Sequence, residues 1–182
     1  MVSRRSGRRA AFAAAVRSLL PLFACVLADN ALAQQNGCVL QTAGSPQRQV
    51  LRCRDGLTIE AEPGSTFSLV DRNRDAAPDA VNLQNRAILI DAPPAALRQG
   101  FQVQTPQAIA AVRGTQWVVD VSPGKTAVFV VNGRVSVRRA TNTRSVNLGP
   151  GEGVDVEPGT APLVVRRWPA ARAAALLARF GR

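Results

Sequence analysis

From Val50 onward the chain is a succession of short apolar alternations broken by Gly, Asn, Asp and Pro: Val50–Cys53, Leu57–Ala61, Thr66–Val70, Ala80–Leu83, Ala87–Ile90, Ala127–Val131, Arg134–Arg138, Val146–Leu148 and Val154–Val156. A period of two over runs this short turns one side of each strand into a core and the other toward water. With turn residues recurring between them, the pattern predicts an all-β fold, either a β-sandwich or a β-roll, a solenoid-like stack of short strands. The most informative stretch is Phe101 to Val121. Phe101 and Val103 alternate with Gln102 and Gln104, Pro106 removes a ladder donor, and Trp117, Val119 and Val121 resume the alternation after Arg113-Gly114-Thr115. This reads as strand, corner, strand, with Gly114 at a positive φ that a β-carbon resists and with Trp117 and Val119 at or beside the core. Val81–Ile90 also aligns with Val128–Val137 at an offset of 47, matching apolar, turn and apolar positions.

The flanks differ from this pattern. Arg4, Arg5, Arg8 and Arg9 precede an apolar stretch that runs to Ala31-Leu32-Ala33, which predicts a signal peptide over residues 1–33 and a mature start at Gln34. Leu22-Phe23-Ala24-Cys25 is similar to a lipoprotein box and Arg8-Arg9 to a twin-arginine signal, two alternative export routes. The longest charge-free run, Ser18 to Ala28, is too short to span a bilayer, so the mature chain is expected to have no transmembrane span. At the other end Trp168-Pro169 leads into Ala170–Phe180 and then Gly181, the signature of a helix with Ala173, Leu176, Leu177 and Phe180 on one stripe and with Arg172 and Arg179 solvated. The chain therefore divides into a signal peptide (1–33), an N-terminal segment (34–56), a β domain (57–160) and a helical tail (161–182).

Export changes the chemistry that is available. Without residues 1–33 the chain keeps 18 basic against 11 acidic residues, a net charge of +7, almost all of it arginine. Export removes nucleic acid as a target and leaves either a soluble positive face or an anionic partner. Cys38 and Cys53 form an even pair in an oxidising compartment and are expected to be bonded; a two-thiolate site would want closer spacing or a histidine, and there is none. Lacking His and Tyr, the chain lacks the commonest general base and the usual triads, and its acids form no convergent pair, so it reads as non-enzymatic. Asp71, Asn73, Asp75 and Asp79 supply side-chain oxygens at the spacing of a calcium loop. However, Ala76 stands where that loop has Gly, and Asn82 where it has a bidentate Glu, so no cofactor is expected and calcium is the alternative to an Asx-rich hairpin loop.

Thr105-Pro106, Val112-Arg113-Gly114-Thr115, Asn132-Gly133-Arg134-Val135 with Val137, and Leu148-Gly149-Pro150-Gly151-Glu152 with Val154 and Val156, taken in this order, resemble the FecR domain over roughly Leu57 to Val156. The resemblance implies an all-β module of bacterial envelope proteins, a family best known for passing a signal from an outer-membrane transporter to a cytoplasmic sigma factor. The chain has only a signal peptide where such regulators carry their sigma-binding helical region, so direct sigma-factor contact is not expected. What carries over is a periplasmic binding module for another envelope protein, with a module sensing glycan or calcium as the alternative. Its surface is expected at the sheet edge and corner formed by Arg113, Gly114, Thr115 and Gln116, at the hairpin of Asn132, Gly133 and Arg134, and at Arg138.

Overall fold

The computed structural model describes residues 34–35, 37–94, 100–112 and 114–182; the predicted signal peptide, with Cys25, lies outside the described residues. The strands are β1 (Gln34–Gln35), β2 (Cys38–Ala43), β3 (Arg48–Cys53), β4 (Thr58–Ala61), β5 (Thr66–Val70), β6 (Ala80–Ala92), β7 (Phe101–Gln104), β8 (Ala108–Val112), β9 (Thr115–Ser122), β10 (Lys125–Asn132), β11 (Val135–Arg139), β12 (Ser145–Leu148), β13 (Glu152–Val156) and β14 (Arg166–Arg167), followed by helix α1 (Ala170–Ala178). The fold is all-β with one short C-terminal helix, as the alternation requires.

The strands form two sheets that share β6. Sheet A runs β1-β2-β3-β4-β6-β9-β10-β13-β14 and sheet B runs β5-β6-β7-β8-β11-β12, with β6 and β7 the parallel pair. Residues 80–85 of β6 pair with β5 and its first three residues also with β7, while residues 86–92 pair with β4 and β9. The two runs read as separate strands, Ala80–Leu83 and Ala87–Ile90, are thus one continuous strand. Its turn-like centre is a kink: pairing with β5 skips Gln84, and Arg86 takes φ +58°. The extra residue reverses the side-chain parity, because Val81 and Leu83 face the inter-sheet core before the kink and Ile88 and Ile90 after it.

The repeat at offset 47 has a structural counterpart. Pairing of β10 with β9 skips Val131, which aligns with Gln84, and Gly133 (φ +86°) aligns with Arg86. Here too the chain leaves one sheet for the other. Asn132-Gly133-Arg134 is therefore not a hairpin, since β10 pairs in sheet A with β9 and β13 while β11 pairs in sheet B with β8 and β12. The local chemistry is that of a tight turn, but the strand crosses over instead of folding back.

The core between the sheets is built from Leu51, Ile59, Ile88, Ile90, Trp117, Val119 and Val128 of sheet A against Val81, Leu83, Phe101, Val103, Val135, Val137 and Leu148 of sheet B. Trp117 and Val119 are fully buried, as expected. Phe101 meets Trp117 edge-on at 6.2 Å between ring centroids. The N-terminal segment, whose CVLQTA run lacks alternation, adds the β2–β3 hairpin, with Cys38 directly opposite Cys53 and bonded to it. Closing a loop of 15 residues stabilises by about 3 kcal/mol in the chain-entropy model. Replacing both cysteines with serine is expected to lower the unfolding free energy by that amount in a denaturant titration, and an unchanged midpoint would remove the bridge from the account.

A third layer lies on the outer face of sheet A. Leu176 and Phe180 of the tail, with Trp168, cover Leu89, Val118 and Phe129, and Trp168 stacks on Phe129 at 4.9 Å. Contrary to expectation, the arginines of the tail are not simply solvated. Arg172 pairs with Asp155 and lies 3.5 Å above the Trp168 ring, Arg179 forks onto both Glu62 and Asp120, and Arg182 reaches Glu60. Burial alone would lower the Arg179 guanidinium, but its hydrogen bonds to Glu62 and Asp120 win and hold it above the usual arginine range. Arg179 thus bridges Glu62 and Asp120, two acids that the fold brings together.

Candidate functional site

Three consecutive crossings between the sheets, β8 to β9, β10 to β11 and β12 to β13, lie side by side and form a corner. Gly114 takes φ +69°, as predicted, and the Gly133 backbone packs so closely on it that a β-carbon at 133 would lie 2.5 Å from the Gly114 carbonyl oxygen. Thr115 is buried, and its Oγ1 donates to the Arg134 carbonyl at 3.1 Å. At the third crossing the Gly149 amide donates to Glu152 Oε2 at 2.7 Å and the Gly151 amide to the Val130 carbonyl at 2.9 Å. The glycines allow the close approach, and Thr115 and Glu152 satisfy backbone groups that the bends release.

This framework presents a small polar surface. Gln116 is half-buried, opposite Asn132 on one side and Asp91 on the other, and its Nε2 donates to Asp91 Oδ2 at 3.0 Å. Asn132 and Arg134 are exposed. Of the predicted surface residues the fold therefore gathers Gly114, Thr115, Gln116, Asn132, Gly133 and Arg134, the first two and Gly133 as framework. Arg113 lies outside the described residues. Arg138 is not part of this group: it sits four residues along β11, roughly 13 Å at strand rise, and donates to the Asn142 carbonyl at 3.1 Å. The corner also differs from a sheet edge, because β8, β9, β10 and β11 each have a partner on both sides; the lateral edges are β1, β5, β12 and β14.

The Asp71–Asp79 loop closes the β5–β6 hairpin. Asp71 accepts the amides of Arg74 and Ala76, Asp75 that of Ala77, Asp79 that of Arg72, and Asn73 that of Asp75. Arg74 and Ala76 take positive φ within it. These are Asx turns in which the side-chain oxygens hold the loop's own backbone. Among the described residues no group of three or more His, Cys, Asp or Glu is arranged to hold a metal, and no helix is long and apolar enough to cross a membrane.

Comparison with known proteins places this architecture. Two crystal structures of a candidate anti-sigma factor from Parabacteroides distasonis ATCC 8503 share the fold, one with TM-score 0.55 at 18% identity and the other with 0.56 at 17%. The matches cover 71% and 77% of this chain and 60% and 64% of those chains, so this chain spans somewhat under two thirds of their length. No curated protein gives a significant match. The family model described as FecR protein matches residues 39–136, from β2 through the corner into β11 and over more than half of the sequence. With the crossings and their glycines inside or beside that span, the chain belongs to the FecR protein family.

Proposed function

We propose that this chain is an exported, non-catalytic module of the cell envelope that works in signalling by docking another envelope protein at the inter-sheet corner. The observation that carries the reading is the corner itself, where Gly114 against Gly133 fixes a backbone from which Gln116, Asn132 and Arg134 project. Membership of the FecR family supports a regulatory role, and the similarity of the fold to a candidate anti-sigma factor points the same way. The Cys38–Cys53 bond fits the oxidising compartment to which the N-terminal sequence directs the chain, and for that reason the partner is sought in the envelope and not in a cytoplasmic sigma factor. The test is crosslinking in intact envelopes followed by capture with wild type and with Arg134→Glu at two salt concentrations. One specific partner should be enriched by the wild type, and its recovery should fall several-fold with Arg134→Glu while the melting temperature stays unchanged. Equal recovery by both proteins, or saturable binding of a glycan or Ca2+ with no protein partner, overturns the reading.

A further inference from the structure

The described arginines fall into two populations. Arg48, Arg86, Arg172, Arg179 and Arg182 are paired with Glu60, Glu62, Asp120 and Asp155 along the outer face of sheet A, and Arg138 and Arg139 donate to backbone carbonyls. Arg52, Arg54, Arg134, Arg166 and Arg167 are exposed and have no acidic partner among the described residues. Arg72, Arg74 and Arg144 also lack an acidic partner, but they sit in loops that join sheet B strands, between β5 and β6 and before β12.

The register places Arg52, one of the unpaired arginines, at the end of a line of residues across sheet A. Arg52 lies opposite Thr58, Thr58 opposite Asp91, Asp91 opposite Gln116 and Gln116 opposite Asn132, a ladder across β3, β4, β6, β9 and β10. Its neighbours in sequence, Leu51, Ile59, Ile90 and Trp117, point into the core, so the ladder faces outward. At about 4.8 Å per strand it is roughly 19 Å long. Arg54 follows Arg52 by two residues and Arg134 follows Asn132 by two, each just beyond its strand, and the Arg167 guanidinium lies against Gly151. The next row of the same face contains Leu89, Val118 and Phe129 and is covered by the C-terminal tail, whereas this one has no such cover among the described residues.

We infer that this strip binds an acidic polypeptide segment in extended conformation, which names the kind of partner and rests on the binding reading above. Guanidiniums without partners toward both ends suit carboxylates, which they hold bidentately, and between them Thr58, Gln116 and Asn132 supply donors and acceptors for a backbone, with Asp91, already held by Gln116 Nε2, an acceptor for its N–H groups and not a seat for an acidic side chain. At about 3.3 Å per residue such a segment covers the ladder with about six residues. A bilayer is disfavoured, since Val164 is the one large hydrophobic exposed among the described residues. A saccharide is disfavoured too, since Trp117 and Trp168 are buried and no large aromatic is exposed among the described residues to stack on a sugar ring.

The test titrates a labelled oligoglutamate of about that length, with an oligoglutamine control, against the wild type, Arg52→Glu, Arg134→Glu and Arg144→Glu. Saturable binding of the oligoglutamate alone, weakened at least about tenfold by Arg52→Glu and by Arg134→Glu, lost at high salt and unchanged in Arg144→Glu, is the expected result. Equal weakening by Arg144→Glu shows an effect of net charge and overturns the assignment. So does absence of oligoglutamate binding, or binding of phosphorylated lipopolysaccharide that alone depends on Arg52 and Arg134. If the oligoglutamate fails while envelope capture still depends on Arg134, the acidic segment falls and the protein-partner reading stands.

Discussion

Gly133→Val is expected to cost more than about 4 kcal/mol, enough to unfold a domain of ordinary stability. At φ +86° the backbone is in the left-handed region, where a β-branched residue is strained by about 1–3 kcal/mol. The added carbon also collides. It would lie 2.5 Å from the Gly114 carbonyl oxygen, 3.0 Å from Thr115 Cα and 3.1 Å from Thr115 Cγ2, and none of these atoms is the free end of a flexible side chain. Relief would have to come from parting the first two crossings, which breaks the Thr115–Arg134 hydrogen bond as well. Gly114→Val is the comparison. Its φ is similarly forbidding, but its β-carbon meets only a Pro94 ring carbon at 3.1 Å, so its cost should be about 2 kcal/mol. Denaturant titrations of the two variants decide the matter, and a Gly133→Val that is no worse than Gly114→Val would mean that the crossings are not in the contact described.

Trp117→Ala is expected to cost about 3–5 kcal/mol, the usual range for removing a buried indole. Trp117 is fully buried in the middle of β9, opposite Ile90 on one side and Val130 on the other, with Phe101 reaching it from sheet B. The cavity left behind would open at the centre of the inter-sheet core, where strands bonded on both sides cannot collapse into it. Trp117→Phe should cost far less, below about 2 kcal/mol. The Trp117 Nε1 is buried with no hydrogen-bond partner among the described residues, so removing that donor offsets part of the lost volume. If phenylalanine proves as costly as alanine in the same titration, the indole N–H has a partner that stabilises it.

Much of this fold is legible in the sequence because the information is local. Alternation gives β3, β4, β5, β7, β9 and β13, the Arg-Gly-Thr corner gives Gly114 its positive φ, and an even pair of cysteines gives the disulfide. What escapes is pairing between distant residues. Asn85-Arg86 and Asn132-Gly133 carry the chemistry of a turn whether the strand folds back or crosses to the other sheet, and only partners such as β5 and β8 distinguish the two. β2 is hidden because CVLQTA does not alternate: beyond Val39, where β1 stops, it has a strand on one side only. The same limit applies to the candidate site. Gln116, Asn132 and Arg134 can be picked out as exposed corner residues, but their alignment with Arg52, Thr58 and Asp91 depends on a register spread over five strands. Likewise, nothing near Arg179 in the chain announces Glu62 or Asp120, 117 and 59 residues away.

The shared strand β6 at one margin and the three crossings at the other also decide how this body carries load. In a two-layered β protein the seam between the layers is held by interdigitated side chains wherever no chain crosses it. Here covalent chain runs through the seam on both margins, so tension applied at the corner travels along backbone to the far margin before any side chain has to slide. Such a body is a stiff block and not a hinge. The backbone itself is the shortest mechanical path from one layer to the other.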